Sequence, residues 1–177
     1  AAAEGSTISS LPIAARIFDL VNSEIVVELL VSDGDKIAHG TRLMRVSGRA
    51  KDVLTAERTA LNILQRLSGI ATETARYAEA LSGFKAEVLD TRKTTPGLRV
   101  LEKYAVRIGG GKNHRMGLYD GVLIKENHIR TAGGILPAVE RARAHVPPTI
   151  KIEVETTNLR EVEEALSCDV ELIMLDN

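Results

Sequence analysis

Between Asp90 and Arg130 the sequence reads DTRKTTPGLRVLEKYAVRIGGGKNHRMGLYDGVLIKENHIR, with nine Lys or Arg residues against four acids, a local charge of +5 in a chain of net charge −1. Such segregation marks either a solvated face or a binding field. Here Arg92, Lys93, His114, Arg115 and Lys125 come with the run Gly109-Gly110-Gly111. A guanidinium offers a planar fork that grips a carboxylate through two parallel hydrogen bonds, whereas lysine acts as a point charge beside phosphate. The segment therefore reads as a pocket for a polyanion. The glycine run has two readings: a flexible turn or, with Asn113, His114 and Arg115 directly after it, a backbone nest for phosphate or carboxylate. Glu153 and Asp176 supply hard carboxylate oxygens of the kind that suit Mg²⁺, an ion that usually arrives with a substrate's phosphates. The plainer reading of both acids is ion pairing to Lys125 or Lys93. His114 and His128 have no partner at zinc-motif spacing.

Elements that would position these groups follow from periodicity. Residues 6–22 read as a short amphipathic helix with Ser/Thr capping candidates, and residues 24–32 and 42–47 as strands around the turn Asp33-Gly34-Asp35. The stretch DGDKIAHG faintly suggests a lipoyl- or biotin-carrier hairpin, but lacks the lysine placed between flanking strands that such a module needs. A helix is expected over 55–67, broken at Ser68-Gly69 and resumed over 72–81. Arg58 then falls near a helix N-terminus, where a cation opposes the dipole, so that it either pairs with an acid such as Glu57 or faces an anion.

From residue 86 onward strand and helix alternate. Strands are expected over 86–89, 121–124, 150–154 and 171–175, with helices over 97–107, 135–144 and 159–166. Repeated units of this kind predict an α/β chain, either a parallel sheet or a (β/α) barrel. Arg92 and Lys93 follow the first of these strands, Lys125 ends the second, Glu153 lies near the end of the third and Asp176 ends the fourth. Ligands bind at the carboxyl ends of parallel strands, and ionisable groups at four successive ends favour one shared site, since a buried charge without a partner is costly.

Composition narrows the function classes. The chain has 177 residues and 44% apolar content, enough for one ordinary domain or slightly more. No apolar run approaches the length of a bilayer span, and Ala1-Ala2-Ala3-Glu4-Gly5 does not look like a secretion signal, so a cytoplasmic enzyme is expected. Cys168 is the only cysteine, which excludes an intrachain disulfide and a cysteine-based metal cluster. With no Trp and 3% aromatics, stacking platforms for single-stranded nucleic acid are not expected.

TAERTALNILQRLSGIAT, DTRKTTPGLRVLEKYAV, GGGKNHRMGLYDGVLIKENH, the IEVE around Glu153 and the terminal LDN together resemble the quinolinate phosphoribosyltransferases, also called nicotinate-nucleotide pyrophosphorylases (carboxylating), over residues 24–177. The resemblance implies an N-terminal α/β sandwich, here over 1–54 and in part, followed by part of an open (β/α) barrel over 55–177. It implies transfer of the phosphoribosyl group of 5-phosphoribosyl 1-pyrophosphate to quinolinate, with Mg²⁺, giving nicotinate mononucleotide, CO₂ and pyrophosphate. Carried over motif by motif, Arg92, His114 and Arg115 match residues that hold the quinolinate carboxylates, and Lys93 and Lys125 match lysines of the phosphate and carboxylate subsites. Glu153 and Asp176 match acids that orient metal and ribose. Arg58 matches an arginine that enters the pocket of a neighbouring subunit in a homodimer or larger homo-oligomer. Relative to the family pattern only four barrel strands are recognisable, and the later glycine-rich turns for the 5-phosphate are absent from this sequence. Two other readings stay open: a related phosphoribosyltransferase on the same scaffold, and an anion-binding fragment without turnover.

Overall fold

A computed structural model of the chain describes residues 5–176. The start Ala1–Glu4 and the Asn177 of the terminal LDN lie outside the described residues. The chain divides into two compact units, residues 1–114 and 115–177.

The first unit is built on one long helix. It opens with β1 (Ser6–Thr7) and α1 (Leu11–Val21), followed by β2 (Val26–Leu29), β3 (Lys36–Ile37) and β4 (Met44–Ser47), then α2 (Ala50–Ala80) and α3 (Arg99–Ile108). β1 pairs antiparallel with β3, and β2 with β4 in the register Val26↔Ser47 to Leu29↔Met44. The break expected at Ser68-Gly69 does not occur: α2 runs unbroken for 31 residues. Its buried stripe Ala56, Ala60, Leu64, Leu67, Ala71 and Thr74 continues straight through that point. Ser68 Oγ accepts the N–H of Ser9 at 3.1 Å, and Thr72 Oγ1 accepts that of Thr7 at 2.9 Å. Two residues that weaken a helix in isolation are thus the ones that satisfy the backbone of the segment crossing it. Tertiary packing outweighs their local propensity.

Helix α1 starts five residues later than the 6–22 expected, because Ser6–Thr7 pair with β3 instead; it buries Leu11, Ala14 and Phe18, and Ser10 gives no side-chain cap. The cap comes from 22 residues away: the Asp33 carboxylate accepts the N–H groups of Ser10 at 2.8 Å and Leu11 at 2.9 Å. Asp33 also accepts the hydroxyl of Tyr104 at 2.6 Å. Burial, then that hydrogen bond and the Asp33 charge, push the Tyr104 hydroxyl up to about 12, so it remains a donor throughout the neutral range.

The glycine run is neither a free turn nor an open nest. The N–H of Gly109 bonds Ala105 O, that of Gly110 bonds Arg107 O and that of Gly111 bonds Val106 O, each at 3.0 Å, so all three donors close the end of α3. A Cβ at Gly109 would lie 2.4 Å from Ala71 O and 2.7 Å from Thr74 Cβ on α2. The residue is glycine because two backbones meet there. Gly109→Ala should therefore lower stability by about 1–3 kcal/mol through overpacking, read as a drop in thermal midpoint. An unchanged midpoint would show that the helices part without cost.

The second unit contains β5 (Val122–Ile124), α4 (Glu126–Ala132), α5 (Ile135–His145), β6 (Ile152–Thr156), α6 (Leu159–Ser167) and β7 (Leu172–Leu175). The strands form one parallel sheet in the order β5-β6-β7, as the alternation of strand and helix requires. One face, with Val122, Ile124, Ile152, Val154 and Ile173, packs with Ile135, Ala138, Val139 and Ala165 of α5 and α6. Helix α4 was not expected from the sequence. The strand expected over 86–89, in the first unit, shrinks to a single parallel bridge between Leu89 and Lys112. The position 54/55 falls inside α2. Among the described residues no helix is long and apolar enough to cross a membrane.

Candidate active site

In the first unit the basic strap Asp90–Leu98 is held by consecutive residues of α3. Lys103, only 1% exposed, donates its ammonium to the Asp90 carboxylate and, at 3.1 Å, to the carbonyl of His114. Asp90 accepts two further bonds, from His114 N at 2.9 Å and Asn113 Nδ2 at 2.5 Å, while Asn113 Nδ2 also reaches Lys103 O at 2.9 Å. Asp90 and Asn113 therefore tie the residue two before Arg92 to the one just before His114. A buried lysine is tolerated because its charge is paired and hydrogen-bonded.

Further along the strap, Glu102 accepts Arg66 Nε at 2.9 Å, Arg66 Nη2 at 2.6 Å and Thr95 N at 3.1 Å. Burial pushes the Glu102 carboxyl up, but the hydrogen bonds from Arg66 and Thr95 outweigh it and leave the group below its ordinary 4.5. A depressed folded value means that Glu102 contributes stability above the unfolded value and loses it as pH falls through the folded one. The midpoint difference between wild type and Glu102→Gln should accordingly be full near neutrality and shrink as pH falls below the ordinary 4.5 of the carboxyl. A difference independent of pH would exclude a charge effect. Arg99 completes the bracing, with Nε donating to Thr94 Oγ1 at 3.1 Å and Nη2 to Arg92 O at 3.4 Å.

On this braced strap Lys93 is exposed and Arg92 half-buried. The Nε of Arg92 is buried and has no hydrogen-bond partner, although a guanidinium N–H is costly to leave unpaired. Arg58 lies exposed in α2, more than two turns from the helix start at Ala50, so the expected opposition to the helix dipole does not arise. Its neighbours in the stripe, Ala56 and Ala60, point the other way, into the core.

In the second unit Arg115 Nη1 donates to Gly121 O at 3.0 Å, and Asp120 accepts Met116 N at 2.6 Å and Gly117 N at 2.8 Å. These bonds close the loop that leads into β5. Lys125 follows β5 directly and pairs with Glu155, a residue the sequence reading passed over. That reading ended the strand at 154, whereas β6 starts and stops two residues later, so Glu153 is its second residue and Glu155 stands beside Lys125. The signal was present in the alternation IEVET, which puts both acids on one face. His128 fixes the lysine's backbone, its Nδ1 accepting Lys125 N at 3.0 Å, and so acts as a cap.

The sheet register also decides the relation of Glu153 to Asp176. Glu153 is opposite Leu172, while the N–H of Asp176 bonds Thr156 O at 2.8 Å, continuing the ladder so that Asp176 falls opposite Thr157. Both carboxylates belong to the face away from α5 and α6, but they stand four residues apart, roughly 13 Å along the strands. Among the described residues no group of three His, Cys, Asp or Glu side chains is placed to hold a metal.

Comparisons with known proteins agree with this architecture. The quinolinate phosphoribosyl transferase C-terminal domain matches residues 70–177, and the N-terminal domain of the same family matches residues 1–68. A probable nicotinate-nucleotide pyrophosphorylase (carboxylating) of Synechocystis sp. is 49% identical over 99% of this chain and 60% of its own length. A protein of the same description from Bacillus subtilis is 46% identical over 90% of this chain and 55% of its own. The crystal structure of NadC from Streptococcus pyogenes superposes with a TM-score of 0.94 at 44% identity, covering 99% of this chain and 62% of that one. The chain thus spans about 60% of the relatives' length. With both domain families matched end to end and the basic strap, the Lys125 strand end and the parallel sheet in place, the chain belongs to the quinolinate phosphoribosyl transferase family.

Proposed function

We propose that the full-length protein carrying this sequence transfers the phosphoribosyl group of 5-phosphoribosyl 1-pyrophosphate to quinolinate, with decarboxylation, in NAD biosynthesis. The observation that carries the reading is the orphaned, buried Nε of Arg92 on a strap braced by Arg66, Arg99, Glu102 and Lys103. A fixed guanidinium donor without a protein partner suits a substrate carboxylate. Arg92, His114 and Arg115 would hold the two carboxylates of quinolinate, and Lys93 and Lys125 the phosphates and the remaining carboxylate charge.

The ring nitrogen attacks the anomeric carbon as its bond to pyrophosphate breaks, and the ribosyl centre passes through oxocarbenium character. Glu153 and Asp176, on one face of the sheet with the Lys125–Glu155 pair, would favour that positive charge. The ring nitrogen is then cationic and accepts the electron pair released when the adjacent carboxylate leaves as CO₂. A proton from solvent takes its place on the ring carbon.

Mg²⁺ belongs to this proposal through the donor. Because Glu153 and Asp176 stand out of register, these side chains do not fit a protein-held cage, and the ion would be carried by the pyrophosphate oxygens. The enzyme is proposed to be cytoplasmic and to form a homodimer or larger homo-oligomer in which Arg58 serves a neighbour's site. Arg58 is exposed on α2, and no hydrogen bond or ion pair of its side chain is seen among the described residues.

Two measurements test the reading. Full-length protein given the donor should form nicotinate mononucleotide and CO₂ from quinolinate. Product from nicotinate alone would point to a related transferase, and no product from either substrate to an anion-binding protein. Mixed Arg58→Ala and Lys93→Ala subunits, with subunit exchange verified, should regain part of the lost activity by forming one intact composite site. Failure to regain any would mean that Arg58 works in its own subunit or is only structural.

A further inference from the structure

We infer that Lys103 is a positioning residue for quinolinate, acting through Asp90 and Asn113; the inference rests on the function proposed above. Lys103 is too deeply enclosed to touch a substrate, at 1% exposure, and its ammonium is spent on Asp90 and the His114 carbonyl. Its position is the informative feature. Asp90 leads into Arg92-Lys93, and His114 comes from a separate segment beyond α3 that meets the first, outside the cluster, through the Leu89–Lys112 bridge with its two hydrogen bonds and the exposed Lys112–Glu87 ion pair. A single backbone bridge leaves such segments free to pivot. The Lys103–Asp90–Asn113 cluster removes that freedom, since Asp90 Oδ1 holds His114 N, Asp90 Oδ2 holds Asn113 Nδ2, and Lys103 grips both the carboxylate and the His114 carbonyl.

A charge is suited to this task and an apolar plug is not. An apolar side chain would fill the same volume but would set neither the direction of the carboxylate nor that of the carbonyl, whereas an ammonium presents three directed donors. Two substrate-facing groups, Arg92 and His114, would then be kept at a constant spacing matched to a rigid aromatic diacid. The flexible phosphoribosyl donor has less need of that spacing.

The test is calorimetric binding of quinolinate and, separately, of the phosphoribosyl donor with Mg²⁺, to full-length wild type, Lys103→Met and Asn113→Ala, at a temperature well below each thermal midpoint. Quinolinate affinity is expected to fall at least tenfold in Lys103→Met and severalfold in Asn113→Ala, with donor affinity within about threefold of wild type. A purely structural role would lower the midpoint and leave the affinity of the folded protein unchanged for both substrates, and that result overturns the inference. Equal losses for both substrates overturn it as well. Should Lys103→Met not fold, the double variant Lys103→Met/Asp90→Asn, which leaves no unpaired charge, takes its place, and unchanged quinolinate affinity in it overturns the inference. Wild type that binds no quinolinate would instead refute the proposed function.

Discussion

In full-length protein Arg92→Lys should weaken quinolinate binding by roughly 10- to 150-fold, the range that corresponds to losing about 1.5–3 kcal/mol of charge-assisted hydrogen bonding. The substitution keeps the positive charge, so it separates geometry from electrostatics. Lysine is a point charge on a flexible stem and does not reproduce the fork. It would also remove the buried Nε, the donor for which the protein supplies no acceptor. The strap itself should persist, because its bracing uses the carbonyl of Arg92 and not its side chain. Donor affinity is therefore expected to change by less than about threefold. Comparable losses for both ligands in calorimetry would count against Arg92 as a carboxylate partner.

Lys103→Met should be the most destabilising of the substitutions considered, at about 3–5 kcal/mol, because it leaves the Asp90 carboxylate without its cation. The two side chains are 1% and 8% exposed, so solvent offers little compensation. At about 2–4 °C per kcal/mol for a chain of this size, the thermal midpoint should fall by roughly 6–20 °C. Asp90 keeps two hydrogen bonds in the variant, from His114 N and Asn113 Nδ2, and these should hold the loss toward the lower part of that range. Adding Asp90→Asn to Lys103→Met should recover part of the midpoint, since no unpaired charge then remains. A single variant as stable as wild type would mean that water reaches the pair.

Most of the chemistry was legible in one dimension. The excess of Lys and Arg between Asp90 and Arg130, the placement of Lys125 after an apolar strand and the alternation of strand and helix after residue 86 depend on residue type and period, which a sequence displays directly. The parallel β5-β6-β7 sheet follows from that alternation, because parallel neighbours need a crossover long enough to hold a helix.

Other features were decided only when distant segments met. Ser68-Gly69 looks like a break until the backbone of Thr7 and Ser9 supplies partners for Ser68 and Thr72, and Arg58 loses its place at a helix start because α2 begins at Ala50. The glycine run looks like an anion nest until α2 is found against it and its three N–H groups are found closing α3. Glu155, not Glu153, pairs with Lys125, because a strand's end point is set by its neighbour's register and a shift of two residues brings a different acid alongside. Lys103 carries no signal at all in sequence, where it is one more cation in a basic helix. What singles it out is burial beside Asp90, and the energy of a charge is set by the dielectric and the partners around it, which exist only in the folded chain.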